Sequence, residues 1–181
     1  MIWIFAAACW GVAEATFFFV VPDVLLTAAV IRFDLRTALY LSVVAALFAS
    51  LAGLGMWLLS NNDAADARDI MLLVPAIGPD LLARAHRDMA DNWPLHLFVG
   101  AVTGVPYKLY AVEAGARGIN PILFFLVSFP VRLGRFALAT GLAAIGREVL
   151  AKLKWTRWDY TVLALGWIAL YAIYFSIRAA A

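Results

Sequence analysis

Cysteine is almost absent from this chain. Cys9 stands alone, so no disulfide can form within it and the redox compartment is left open. Histidine is nearly as scarce, and His86 and His96 have no companions at the spacing a metal site needs. Serines are few, and none lies near a histidine in a way that suggests nucleophilic chemistry. There is no GxSxG, no HExxH and no phosphate-cradling GxxxxGK, so nothing points to an enzyme, a metal or a cofactor. Charge is sparse at 14% of residues, and the one basic loop is short, which argues against a nucleic-acid surface. The N-terminus has no basic n-region and Glu14 interrupts its apolar run, so it does not read as a cleavable signal.

What is present is hydrophobic surface. Apolar residues make up 65% of the 181-residue chain, and the mean hydropathy is +0.89, values of an integral membrane protein folded as one unit over residues 1–181. Apolar stretches at 38–59, 121–146 and 160–177 are each long enough to cross a hydrocarbon core of about 30 Å. Two further apolar segments are broken. Residues 1–31 are cut by Pro22, with Asp23 directly after it, and residues 94–116 are cut at Thr103-Gly104-Val105-Pro106. Proline removes a backbone donor and clashes with the preceding turn, so neither segment reads as a straight span. A re-entrant hairpin that dips in and returns to its own face fits better, with turns at Pro22 and at Gly104–Pro106 and a return to Gly115. Gly53 and Gly55 would permit close helix contact.

Between the two halves, residues 60–93 form a polar connector with six aspartates against three arginines. From Pro79, a favoured first helical position, Leu81, Leu82, Ala85 and Met89 recur at helical spacing opposite Asp80, Arg84, Arg87, Asp88 and Asp91. That pattern predicts an amphipathic helix on the membrane surface, with His86 on its solvated face and His96 at the interface. Trp155, Trp158 and Tyr160 at one edge, and Tyr171 and Tyr174 near the other, suit interfacial belts. The basic loop at 147–157 (Arg147, Lys152, Lys154, Arg157) belongs inside by the positive-inside rule. Counting back places the connector outside and Arg32 and Arg36 inside. The two hairpins then open to opposite faces, and Pro22 aligns with Pro106. The layout is an inverted-topology repeat, 1–59 against 94–148, followed by a C-terminal helix in 149–181.

Inside these apolar segments lie Glu14, Asp23, Lys108, Glu113, Arg132 and Arg135. Each ionised group at the bilayer centre costs about 2.5–3.5 kcal/mol on insertion scales, so they must meet each other, water or a charged ligand. Arg132 and Arg135 are three apart and share a helix face, and their planar forks suit a phosphate; the structural alternative is pairing with Glu14, Asp23 or Glu113. Glu14 and Asp23 read as proton carriers or gates, with a turn cap as the plain alternative for Asp23. Lys108 either snorkels to the interface or lines an aqueous cavity, with Glu113 as a local partner at poor helical spacing.

At these residues the chain resembles the DedA family, also called the VTT or SNARE-associated family, and especially its short YqaA-like branch. The likeness covers roughly residues 5–150. It rests on Glu14, the Pro22-Asp23 turn, Gly104-Val105-Pro106-Tyr107-Lys108 leading to Gly115, and the Arg132-x-x-Arg135-Phe136 ending. Asp23 stands where many members carry a glutamate, and Lys108 is the nearest cation where many carry an arginine. The resemblance implies two facing re-entrant loops in an inverted repeat, located in the bacterial inner membrane, and movement of lipids between leaflets. The expected function is therefore transport of an anionic phosphate-bearing lipid, a polyprenyl phosphate or a phospholipid. Arg132, Arg135 and Lys108 would hold the phosphate, while Glu14, Asp23 and Glu113 gate access or couple protons. Two alternatives stand beside it: a proton-coupled exporter of small cations, and a non-transporting scaffold. Monomer and homodimer are both compatible with the pattern.

Overall fold

The computed structural model describes residues 1–154 and 159–179. Among them every regular element is a helix: α1 (Ile2–Thr16), α2 (Asp23–Arg32), α3 (Leu35–Asn62), α4 (Ala64–Leu72), α5 (Pro79–Ala90), α6 (Trp93–Thr103), α7 (Tyr107–Ala116), α8 (Pro121–Lys152) and α9 (Asp159–Ala179). Three stretches are long and apolar enough to cross a membrane: Leu35–Asn62, Pro121–Lys152 and Asp159–Ser176. They match the three continuous apolar stretches of the sequence. Trp155, Arg157 and Trp158 lie outside the described residues.

Local chemistry explains the boundaries. Asp34 caps α3 by accepting from the Thr37 N–H at 2.6 Å, which holds its carboxyl below the usual carboxylate range. Asp63 caps α4, Asn92 caps α6 and Asn120 caps α8 in the same way. The first apolar segment breaks over residues 17–22, and Pro22 then starts α2 with its own fixed φ. The second breaks at Gly104, whose φ of +81° ends α6 in the left-handed conformation that only glycine adopts freely. Pro106 then leads into α7.

Gly115 is not part of a turn. It sits inside α7, where an added Cβ would come within 2.1 Å of the Trp57 carbonyl oxygen, so it lets α7 lie directly on the backbone of α3. Gly53 of α3 works similarly by accommodating the Tyr107 ring, while Gly55 has open space and makes no such contact. The core follows from these close approaches. One cluster gathers Met56, Met71, Tyr107, Tyr110 and Phe124 around α7; the other gathers Leu26, Val30, Leu41 and Phe136 around α2, α3 and α8.

The connector differs from its sequence reading. Residues 60–93 hold α4 as well as α5, and the apolar stripe of α5 does not face outward. Leu81, Ala85 and Met89 are buried in the protein core beside α7. The amphipathic pattern is real, but the surface that covers it is the second broken arm rather than lipid.

Candidate functional site

Where the chain leaves helix at residues 17–22, its polar backbone groups would be unsatisfied without help. Three separate elements supply partners. The Trp10 indole donates to the Val20 carbonyl at 2.8 Å, Lys108 Nζ donates to the Phe18 carbonyl at 2.7 Å, and the Val21 N–H donates to the Tyr171 hydroxyl at 2.9 Å. This first tip is thus held by α1, by the start of α7 and by α9. Tyr171, an interfacial aromatic in the sequence reading, braces the tip, and its ring lies 6.4 Å from that of Phe19.

Between this tip and the one at Gly104–Pro106 is a cavity of about 350 Å³. Four acidic or basic residues line it: Glu14 and Asp23 from the first arm, Lys108 from the second, and Arg135 from α8. Its rim carries Val102, Leu138, Leu142 and Leu170, apolar side chains that are all more than half exposed. The cavity is therefore charged within and greasy at its mouth.

Two ion pairs on α8 organise the charges. Arg132 pairs with Glu14, and both are buried to within a few per cent. The Arg132 guanidinium also packs over the Tyr107 ring at 4.4 Å and the Phe136 ring at 5.1 Å. Arg132 does not reach the cavity wall; it stands behind it. One helical turn on, Arg135 Nη2 donates to Asp23 Oδ2 at 2.6 Å, and its side chain stays 26% exposed, so Arg135 is the arginine that meets the cavity. Asp23 Oδ1 and Arg132 Nε are buried with no hydrogen-bond partner among the described residues. Lys108, only 2% exposed, makes no ion pair among those residues beyond its bond to the Phe18 carbonyl. It is buried at the cavity and does not snorkel.

Glu113 belongs elsewhere. It is fully buried and accepts two hydrogen bonds from Arg68, from Nε to Oε1 at 2.7 Å and from Nη2 to Oε2 at 2.9 Å, while His86 Nδ1 lies 2.7 Å from the same Oε2. The carboxylate holds the Arg68 guanidinium still further above its ordinary range. Arg117 adds a 2.8 Å bond to the His86 carbonyl. Glu113 thus anchors α4 and α5 onto α7; it neither pairs with Lys108 nor lines the cavity. His86 is exposed on the solvated face of α5, as the sequence suggested, and is also the partner of a buried acid. His96 lies 3.4 Å from Asp91 and 3.6 Å from Asp88. No group of three or more metal-ligating side chains occurs among the described residues.

Of the six charged residues that the sequence grouped, Glu14, Asp23, Lys108 and Arg135 line the cavity together, Arg132 stands behind its wall and Glu113 lies elsewhere. Missing from that reading were Arg68 and His86, and the part of α9 in the wall. The spacing of Trp167, Tyr171 and Tyr174 on one face of α9 carried that last signal. No family model matches the chain, and no solved structure matches it. Over 74 residues it is 32% identical to the uncharacterized protein HI0703 homolog of Histophilus somni, which covers 38% of this chain and 39% of that protein. The aligned stretch therefore spans about two fifths of that relative's length, and its description names no activity.

Proposed function

We propose that this chain is a lipid transporter of the DedA type, moving an anionic phosphate-bearing lipid between leaflets of a bacterial inner membrane. In this reading α1–α2 and α6–α7 are re-entrant arms that enter from opposite faces, and α1–α3 and α6–α8 are the halves of an inverted repeat. The pairing of elements supports it. The second arm's α7 packs on the first half's α3, and reciprocally α2 packs on α8, as a two-fold axis in the membrane plane would require. The satisfied backbone at residues 17–22 also supports it, because irregular chain at membrane depth survives only where protein or a water-filled cavity receives its polar groups.

The observation that carries the reading is the charge of the cavity region. Lys108 and Arg135 line the cavity with Glu14 and Asp23, and Arg132 behind the wall takes up Glu14, so the cluster holds three cations against two anions among largely apolar side chains. A surplus positive charge away from water is costly unless an anion joins it. A phosphate can take the exposed fork of Arg135 in exchange for Asp23, and Lys108 is close enough to the same space to add a donor. The hydrocarbon chains would stay outside, past the apolar rim. Asp23, released, would be free to bind a proton.

A proton-coupled cation exporter is the second reading, and the unpaired Asp23 Oδ1 favours it. One assay separates the two. Purified protein in liposomes is given leaflet-quenchable phospholipid or polyprenyl phosphate, and wild type is compared with Arg135→Glu. Lipid exchange that Arg135→Glu abolishes, at near-normal protein abundance, supports transport of the anion. Cation flux with no lipid exchange overturns it.

A further inference from the structure

A second cavity, of about 290 Å³, runs between α8 and α9 and reaches α2. Ala139, Trp167 and Leu170 line both cavities, so the two adjoin. Its wall includes Ala139, Ala143 and Gly146 on α8 and Gly166 on α9, beside larger side chains such as Leu150 and Leu163. Small side chains leave the space unfilled: an added Cβ on Gly146 or Gly166 would meet nothing within 4 Å. Arg147 and Asp159 line it too. Arg147 lies 12 residues beyond Arg135, about 18 Å along a helix. That is close to half of a hydrocarbon core about 30 Å thick, so a central Arg135 puts Arg147 at the interface.

The end of this groove reproduces the chemistry of the central cavity. Arg147 Nε is 4.0 Å from Asp159 Oδ2, as Arg135 is paired with Asp23. In both pairs the aspartate's Oδ1 is buried without a partner among the described residues. Arg147 is 41% exposed and spends one donor on the Val30 carbonyl at the end of α2, leaving others free. Each pair therefore offers a cation with spare donors beside an acceptor that lacks a donor. A bare phosphate would satisfy the first and be repelled by the second. A headgroup with both a phosphate and a primary ammonium satisfies both.

We infer that the α8–α9 groove is a loading site for a phospholipid of that kind, its phosphate on Arg147, its ammonium on Asp159 Oδ1 and one hydrocarbon chain lying along Ala143 and Gly146 toward the central cavity. The inference rests on the transport reading for the lipid's later passage; it adds a site and extends the cargo from an anionic to a zwitterionic phosphate-bearing lipid, whose phosphate is the part that would meet Arg135. The test is photo-crosslinking of the full chain in phosphatidylcholine vesicles doped with chain-diazirine phosphatidylethanolamine or phosphatidylglycerol, followed by peptide mapping. The ethanolamine probe should label residues 139–150 and 162–170, and should do so more strongly than the glycerol probe. Gly146→Leu, whose added Cβ starts in open space and whose side chain then occupies the groove, should cut labelling about tenfold with a melting temperature near wild type; Gly166→Leu from the opposite wall serves if Gly146→Leu does not fold. Asp159→Asn should remove the preference for ethanolamine, and Arg147→Gln should lower labelling by about fivefold, as for loss of one surface arginine. Equal labelling by the two probes, labels mapping elsewhere, or labelling indifferent to both groove-filling changes would overturn the inference. Leaflet exchange in the same vesicles separates this outcome from the broader one: exchange without groove labelling sinks the loading site alone, and groove labelling without exchange sinks transport alone.

Discussion

At the scale of single residues, the two arginines of α8 have different work despite sharing a face. Arg132 is sealed between Glu14 and two aromatic rings, whereas Arg135 keeps a quarter of its side chain open to the cavity. Glu14→Gln leaves a buried guanidinium without its counter-charge, which costs about 3–5 kcal/mol. It should therefore lower the melting temperature and the amount of protein in the membrane, both read directly by thermal unfolding and immunoblot. Arg135→Gln strips a half-open contact and should leave abundance near wild type while lipid exchange falls. If the two substitutions behave alike, the division between a structural and a transporting arginine is wrong. A parallel contrast holds for glycines. Gly115→Ala forces a methyl against the Trp57 carbonyl and should destabilise by about 1–3 kcal/mol. Gly134→Ala, with open space around it, should be neutral or stabilising by up to about 1 kcal/mol through helix propensity. Thermal melts of the purified variants decide both.

At the scale of elements, the connector is pinned rather than floating. Glu113 ties α4 through Arg68 and α5 through His86 to the second arm, so one buried carboxylate holds two helices. Glu113→Gln should loosen both, and trypsin should then cut after Arg68, Arg84 or Arg87 faster than in wild type; equal cutting would mean that the apolar stripe of α5 alone holds the connector. These elements also show what a sequence can and cannot reveal. The long helices and the two breaks were legible because length, hydropathy and proline act locally. So was the company of Glu14, Asp23, Lys108, Arg132 and Arg135, since charges stranded in apolar segments need partners; Glu113, grouped with them, found other partners. The partners of Glu113 were not legible: Arg68 is 45 positions away and His86 is 27, and nothing local marks either. The apolar face of α5 was visible, but amphipathicity does not say whether lipid or protein covers it. Gly115 read as a turn because glycine serves turns and close helix approaches alike. The bond of Tyr171 to Val21 was not legible either, because it spans 150 positions.

At the scale of the whole molecule, the account stands or falls on two bent arms dipping in from opposite sides to enclose one charged space. Their ends are exposed and open to labelling: Ile2 and Arg36 bracket the first arm, Asp91 and Arg117 the second. The most direct measurement is cysteine accessibility in sealed, oriented membranes, with single cysteines at those four positions in a Cys9→Ser background and an impermeant maleimide. The account expects Ile2→Cys and Arg36→Cys to label together from the cytoplasmic side, and Asp91→Cys and Arg117→Cys together from the other. Labelling of the two ends of either arm from opposite sides would make that arm a crossing segment, and the central cavity would no longer lie where two re-entrant tips meet.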